Sequence, residues 1–338
     1  MPYNVGMSHP EIIIPFALPP AEHAKDLVRL LASECGTDGL AMLLTRHDSL
    51  QRNQFDDFSA ELPHEAWLAR NHRSNYLLQQ TDQLSLALPD GYWFLLQPVN
   101  LHIASNHLVL TDYRQLALSE QDAHELFKKA QSLCEEIGLQ LVYGDAAHWF
   151  LRADSWSDLT TTSPDAACGH NIEIWSPTGN QALAWRKLQN EIQMEWFIHP
   201  LQEQRQLRGA KVVNGLWLWS GTLLKQDNNK VSTDSRTPIR LNSSVNDIIQ
   251  SSGPVILDQL SSAALENDWG TWVQIMIDLE RNWFKPLCSA LNTRQLKQLS
   301  LILSNSDTLL EVQSTSNSLR GFWRNAFRHS ANLNHLLP

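Results

Sequence analysis

The stretch RGAKVVNGLWLWSG (Arg208–Gly221) alternates so that Leu216 and Leu218 point to one side of an extended chain and Trp217 and Trp219 to the other. A strand that is apolar on both faces must be covered on both, which predicts a sheet with helices on each side. Asn214-Gly215 and Ser220-Gly221 mark its two ends. Just upstream, QALAWRKLQNEIQMEWFIHPLQEQRQLRG carries a long helical pattern interrupted by Pro200. Proline removes a backbone donor and clashes with the preceding turn. The segment is therefore expected as two helices, with Pro200 in the first turn of the second and Gly209 ending it.

Working outward, Ile12–Ile14 in EIIIPFALPP reads as a buried strand stopped by prolines, and AEHAKDLVRLLASECG as a helix with Gly36 at its end. PHEAWLARNH reads as a second helix, after a polar loop through Gln51 to Phe58. YWFLLQPV, HLVLTD and HWFLRAD read as short strands. Between the last two lies a helix opened by Ser119 and Asp122 at capping-box spacing and closed at Gly138, with Ala123, Leu126, Phe127 and Leu133 as its apolar side. Lys225 to Ser244 is a polar surface loop. GPVILDQL is a strand running to Asp258, a helix follows from Trp269 to Phe284, LSLILS and TLLEVQS are late strands, and RGFWRNAF is a terminal helix. The fold class expected is α/β, with residues 1–90 and 176–338 forming the core and 91–175 an inserted, smaller α+β subdomain.

With 338 residues and 43% apolar content the chain can bury a large core or two modest ones. A net charge of -10, from 26 basic and 36 acidic side chains, argues against nucleic acid, because general phosphate-backbone binding rests on Lys and Arg. Cys35, Cys134, Cys168 and Cys288 are scattered, with no C-x-x-C pair, and read as free buried thiols of a reducing compartment. No basic, then apolar, leader opens the chain and no apolar run approaches about 18 residues, so neither secretion nor a membrane is expected and the chain is placed in the cytoplasm. The 13 tryptophans are expected mostly in the core.

Signature motifs of phosphate-binding loops, nucleophile elbows and zinc proteases are absent. No metal site and no cofactor is called for. The richest constellation is Asn190, Glu191, Gln193, His199, Arg205, Arg208 and Asn214, followed by Trp217, Trp219 and Gly221. Asn190, Gln193 and Phe197 share a helical face. Amides there suit either a ligand or partner site or a polar network locking helix to sheet. Asp258, Glu266 and Asp268 suit metal binding or capping. Arg320, Arg324 and Arg328 make a basic stripe beside Trp323, suited to an acidic partner or to solvent.

WRKLQNEIQMEWFIHP, RQLRGAKVVNGLWLWSG, GYWFLLQPVNLHIASNHLVL and FWRN resemble the bacterial regulatory protein family of RpfE type over nearly the whole chain. That family in turn is similar to the archaeal-type cofactor-independent phosphoglycerate mutases, which implies an alkaline phosphatase-like core. A phosphomutase of that kind needs two metal ions on Asp and His side chains and a hydroxyl nucleophile. Where the resemblance puts the first metal-binding Asp, this chain has Pro15, Phe16 and Ala17; where it puts the nucleophile, Glu22, His23 and Ala24. The expectation is a non-catalytic regulatory or binding protein, sensing a small anionic metabolite in a cleft of Asn190, Gln193, Arg205, Asn214, Trp217 and Trp219. The alternatives are a metal-dependent phosphoglycerate mutase or phosphatase with rearranged ligands, using Asp258 and Asp268, and a protein-interaction module working through Arg320, Trp323 and Arg324.

Overall fold

The computed structural model describes residues 10–35, 38–56, 59–104, 106–225, 239–241, 245–250, 253–320 and 331–338. Twelve strands are assigned: β1 (Pro10–Ile14), β2 (Ser49–Gln54), β3 (Gly91–Val99), β4 (Leu101–Ala104), β5 (His107–Leu110), β6 (Gln140–Tyr143), β7 (Trp149–Arg152), β8 (Gly215–Leu224), β9 (Arg240–Leu241), β10 (Gly253–Ile256), β11 (Gln298–Ser304) and β12 (Thr308–Thr315). The chain divides into two compact units, one of Met1–Trp67 with Thr237–Pro338 and the other of Leu68–Arg236. No helix among the described residues is long and apolar enough to cross a membrane.

The first unit is built on a six-stranded mixed sheet in the order β2-β12-β11-β1-β10-β9. β1 runs parallel to both β10 and β11, and Ile12, Ile13 and Ile14 are fully buried, as expected of a central strand flanked by parallel neighbours. β11 and β12 pair antiparallel through a tight connection. At the far edge the sheet gains β2, which pairs antiparallel with β12. Sequence reading places a loop at Gln51–Phe58, but Gln51 to Gln54 extend β2. The strand is polar and mostly exposed, an edge strand with no apolar face to announce it. β9 likewise lies inside the stretch read as a polar loop.

Helix Ala24–Cys35 follows β1 as expected, and the residue expected to end it, Gly36, lies outside the described residues. A buried carboxylate organises the next helix: Glu280 Oε1 and Oε2 accept from the N–H groups of Gly39 and Leu40 at 2.7 and 3.0 Å, at the start of helix Asp38–Thr45. These are two of the four donors a helix start leaves unmatched, at the end where negative charge is favoured. A side chain at Gly39 would strike the backbone of Phe284 and Lys285, so glycine lets the two segments approach. Glu280 opens a π-helical turn, Glu280–Phe284, that ends helix Trp269–Leu279. A short helix, Ser316–Arg320, follows β12; the terminal helix expected at RGFWRNAF lies, from Gly321 on, outside the described residues.

The second unit carries a four-stranded antiparallel sheet, β6-β7-β3-β8, beside the β4-β5 hairpin. β8 pairs with β3, so residues beyond 175 share a sheet with the 91–175 stretch and this unit is wider than the composition boundaries. The two-sided burial read from Leu216 to Trp219 is present. Leu216 and Leu218 join Phe94, Leu96, Trp185, Leu188, Ile192 and Trp196 in one core. Trp217 and Trp219 join Trp93, Leu95 and Val99 in another, on the opposite face. Pro200 begins helix Pro200–Leu207 after the break that ends helix Ala182–Phe197, and Gly209 turns the chain with φ 73°. Ser119 caps helix Glu120–Glu136 by accepting from the Asp122 N–H at 3.1 Å. Every described tryptophan except Trp269 is buried.

Cys134, Cys168 and Cys288 are buried and form no disulfide. Burial, with Glu135 adding to it, pushes the Cys134 thiol to about 12, and burial with Glu280 does the same for Cys288. Since the thiolate is the reactive form, only about one molecule in ten thousand is ionised at either site at pH 8. Iodoacetamide at that pH is expected to leave both cysteines unmodified in the folded protein and to label both in denaturant, as read by peptide mass spectrometry.

Candidate functional site

In open α/β sheets ligands favour the carboxyl ends of the parallel strands. Here those ends are sealed. Pro15, Phe16, Ala17 and Leu18 after β1 are buried. Phe16, at φ 57°, has its carbonyl bonded by the Trp272 indole N–H at 2.8 Å, and the Leu18 N–H donates to the Ser304 carbonyl at 3.0 Å. Ser304 Oγ lies 3.3 Å from His64 Nδ1, but both side chains are buried and the His64 ring packs edge-on to Phe16. This pair ties β11 to helix Pro63–His72.

The acidic candidates are divided. Asp258 lies two residues beyond β10, and Asp268 caps helix Trp269–Leu279 by accepting from the Thr271 N–H at 3.0 Å. Glu266 is exposed and its N–H donates to the Ser262 carbonyl. Among the described residues no group of three or more His, Cys, Asp or Glu stands where it could hold a metal ion. With an apolar, buried Pro15–Ala17 in place of a carboxylate, the described residues do not fit the two-metal set of a phosphomutase. Trp323, Arg324 and Arg328, and the side chain of Arg320, lie outside the described residues.

The constellation from Asn190 to Gly221 is not one site. On helix Ala182–Phe197 the buried face is Trp185, Leu188, Ile192 and Trp196, so Asn190 and Phe197 point outward and Asn190 does not lock the helix to the sheet. The larger area of two tryptophans and two aliphatics takes the core side. Glu191 pairs with Lys187 one turn away, at 3.9 Å. Gln193 lies near Gly215. His199 caps the second helix, its Nδ1 accepting from the Leu201 N–H at 3.2 Å. Asn214 clasps Leu101 with both amide atoms, accepting from its N–H at 2.7 Å and donating to its carbonyl at 2.8 Å.

Arg205 is an interior brace. Its Nη1 donates to Asp122 Oδ2 at 3.0 Å, its Nε to the Lys211 carbonyl at 2.9 Å and its Nη2 to the Leu116 carbonyl, with 1% of the side chain exposed. Arg208 reaches the same Asp122 oxygen at 2.9 Å from a half-exposed position. Ligand binding therefore has little of Arg205 left to use.

Trp217 donates its indole N–H to the Thr162 carbonyl at 2.8 Å. Trp219 leads to a different site. At Ser220-Gly221 two residues of β8 oppose Phe94 alone, a bulge with Ser220 at φ 56°. A side chain at Gly221 would meet the rings of Phe94 and Tyr92. Ser220 Oγ accepts from the Leu77 N–H at 3.0 Å, and Asn75 caps the same helix, Tyr76–Gln83, while its amide reaches Thr222. The bulge thereby docks this helix with the Tyr76 ring 4.7 Å from that of Trp219.

Around that stack unmatched polar groups collect. Gln97 on β3, fully buried on the Trp217 face, has neither amide atom in a well-formed hydrogen bond, although it lies close enough to Tyr113 to act on its hydroxyl. The indole N–H of Trp219 and Nε2 of His148 are also buried without partners. The Tyr76 and Tyr113 hydroxyls stand 3.4 Å apart, and the His148 ring lies 6.0 Å from Tyr76 and 6.4 Å from Tyr113. Sequence reading found only Trp219 of this group. The Gln in the middle of the apolar run YWFLLQPV was the other available signal; Tyr76, Tyr113 and His148 come from separate segments with none.

Charge around this cluster is paired. Arg114 lies over the Tyr113 ring at 4.5 Å and forks onto Asp165 at 2.6 and 3.0 Å, with Asp112 at 2.8 Å. Burial raises the Tyr113 hydroxyl to about 12 and that of Tyr76 well above its ordinary value, so both keep their protons at neutral pH. Burial works to raise Asp145, but its hydrogen bond to His148 Nδ1 at 2.9 Å, the His148 charge and two backbone N–H bonds together hold it below the usual range.

No protein-family model matches the chain, and no curated protein matches it. Among solved structures the chain is similar to a cofactor-independent phosphoglycerate mutase from Thermoplasma acidophilum DSM 1728, at 12% identity over 91% of this chain and 89% of that one, with a TM-score of 0.35. It is also similar to the PH0037 protein from Pyrococcus horikoshii, at 10% identity over 91% and 87%, with a TM-score of 0.45. At these scores the chemistry is argued from the chain's own residues.

Breaking a buried ion pair by removing one partner leaves an uncompensated charge. Arg205→Ala is expected to destabilise the protein by about 3 kcal/mol in urea unfolding, and Arg208→Ala, at the exposed end of the same pair, by less than about 1 kcal/mol. Equal losses would show that Arg205 is not the brace.

Proposed function

We propose that the chain is a non-catalytic regulatory protein that binds a small anionic metabolite in the recess formed by Tyr76, Gln97, Tyr113, His148 and Trp219. The observation carrying this reading is the concentration of unmatched buried polar atoms at Gln97, His148 and Trp219 beside two tyrosine hydroxyls. Buried polar groups in folded proteins are nearly always paired, and each one left unmatched costs about 1–3 kcal/mol. Several unmatched groups gathered at one place suit a ligand that matches them.

The character of those groups selects the ligand. An indole N–H only donates, the Gln97 amide offers two donors, and protonated tyrosines donate. Nδ1 of His148 is held by the Asp145 carboxylate at 2.9 Å, which leaves Nε2 as the ring nitrogen without a partner. Donors outnumber acceptors, so an acceptor-rich carboxylate or phosphate fits. The aromatic walls would hold the carbon frame of the ligand.

The resemblance to RpfE-type regulators agrees with this reading, and so does an alkaline phosphatase-like origin for the first unit. In that unit the strand ends where phosphoryl transfer would take place are filled by Phe16, His64 and Ser304.

Gln97→Leu separates binding from packing. Removing an unmatched buried amide for an apolar side chain of similar size is expected to raise the stability of the ligand-free protein by about 1–2 kcal/mol. The same substitution is expected to abolish the thermal shift that 3-phosphoglycerate, inorganic phosphate or a short dicarboxylate gives the unsubstituted protein. That shift corresponds to about 2.7 kcal/mol at a hundredfold excess over Kd. A Gln97→Leu variant that is less stable than the parent, or a parent that responds to none of these anions, would sink the proposal.

A further inference from the structure

Helix Ala182–Phe197 buries one face and exposes large apolar side chains on the opposite one, at either end of a stretch that carries Arg186, Lys187 and Asn190. Leu183, Met194 and Phe197 are 77, 72 and 82% exposed, and Ile198 just beyond is 73% exposed. At 100° per residue, Leu183, Asn190, Met194 and Phe197 fall within about 30° of a single outward line. The line is diametrically opposite Trp185, Leu188, Ile192 and Trp196. Large apolar side chains scattered singly over a surface need no explanation, but four exposed along one helix make a patch that marks an interface.

The order of residues along the seam identifies what covers it. Asn190 is at its centre, with Leu183 seven residues before and Phe197 seven residues after, each about 10.5 Å away along the axis. Basic side chains, Arg186 and Lys187, occupy the first half; acidic ones, Glu191 and Glu195, the second. A second copy of the same helix laid antiparallel, with the two-fold axis at Asn190, sets Leu183 against Phe197 and the basic half against the acidic half. A parallel copy would set like charge on like. The two Asn190 amides would then face each other, each able to donate to and accept from the other, and one polar pair of this kind fixes register between paired helices.

We infer that this face is a two-fold interface between two copies of the chain, formed by antiparallel pairing of helix Ala182–Phe197 about Asn190. The contact is isologous, so each copy uses the same patch and the assembly closes at two. It is separate from the Tyr76–Trp219 recess and stands whether or not that recess binds an anion.

The test is covalent trapping with a mass measurement on the full chain. Under mild oxidation Asn190→Cys is expected to form a disulfide-linked dimer, because the residue meets its own mate. Leu183→Cys alone is expected not to, its mates being about 21 Å apart, but to link when mixed with Phe197→Cys. Sedimentation of the unsubstituted protein should give the mass of two chains, Phe197→Asp should weaken association at least tenfold, and Lys187→Glu should weaken it less. Glu191→Lys added to Lys187→Glu should recover the dimer, since the swap restores opposite charge across the two-fold. Near-ultraviolet circular dichroism of Phe197→Asp should match the parent, showing an intact core. A monomer at all concentrations up to about 100 µM, where associations of about 10 µM would be evident, overturns the inference. So does a dimer indifferent to Phe197→Asp, or a trapping pattern in which Leu183→Cys links to itself and Asn190→Cys does not.

Discussion

The antiparallel pairing of β3 with β8 is the constraint on which the Leu68–Arg236 unit depends. It runs the length of both strands, and both are covered on both faces. One face takes Phe94, Leu96, Leu216 and Leu218 under helix Ala182–Phe197; the other takes Trp93, Leu95, Trp217 and Trp219. Because side-chain direction alternates with period two, a slip of one residue would exchange these two sets. The single interruption, the bulge at Ser220-Gly221, lies inside β8: the sequence reading ends the strand there, but pairing resumes at Thr222 and runs on to Leu224. A left-handed conformation at a non-glycine residue costs about 1–2 kcal/mol. At Ser220 that cost is offset by the hydroxyl's bond to the Leu77 N–H, which anchors helix Tyr76–Gln83.

Two polar groups buried within this unit follow opposite logic. Arg205 has every nitrogen bonded to protein, and its charge is met by Asp122. It behaves as a finished piece of interior, for which a ligand would have to break existing bonds. Gln97 sits among Trp93, Leu95 and Val99 with its amide unmatched. Packing alone favours an aliphatic residue there. A position that departs from what packing favours, with the departure repeated nearby at Trp219 and His148, is where a binding role is most economically placed.

Those same residues show what could be read in the chain beforehand. The Leu-Trp alternation, the break at Pro200, the Ser119 cap and the turn at Gly209 each follow from a local rule, and each is present. β2 was unreadable because a polar edge strand has neither alternation nor apolar content; its partner β12 creates it. The outward face of helix Ala182–Phe197 is undecided in the sequence for a different reason. The helix has two apolar lines, Trp185–Trp196 and Leu183–Phe197, and periodicity does not say which one meets the sheet. For the recess, Tyr76, Gln97, Tyr113, His148 and Trp219 derive from five segments, so their meeting is a product of topology. Only the misplaced polarity of Gln97 was visible in one dimension.

In the first unit, the edge where an α/β sheet ordinarily offers a site is closed. Three parallel strands end together at Phe16, Asp258 and Ser304, the arrangement that leaves a crevice when the following loops stay open. Here the loop after β1 is folded inward. Phe16 adopts a strained conformation, its carbonyl is taken by Trp272, and the segment is laced to Ser304 by the Leu18 N–H. Reopening that edge would expose Phe16 and Leu18 and leave the Trp272 indole without its partner. Each change is unfavourable, and none is compensated by a charged group waiting beneath. The closed edge and the polar cluster therefore point the same way: among the described residues of the first unit only Ser314 Oγ is buried without a partner, whereas four such atoms gather at Gln97, His148 and Trp219.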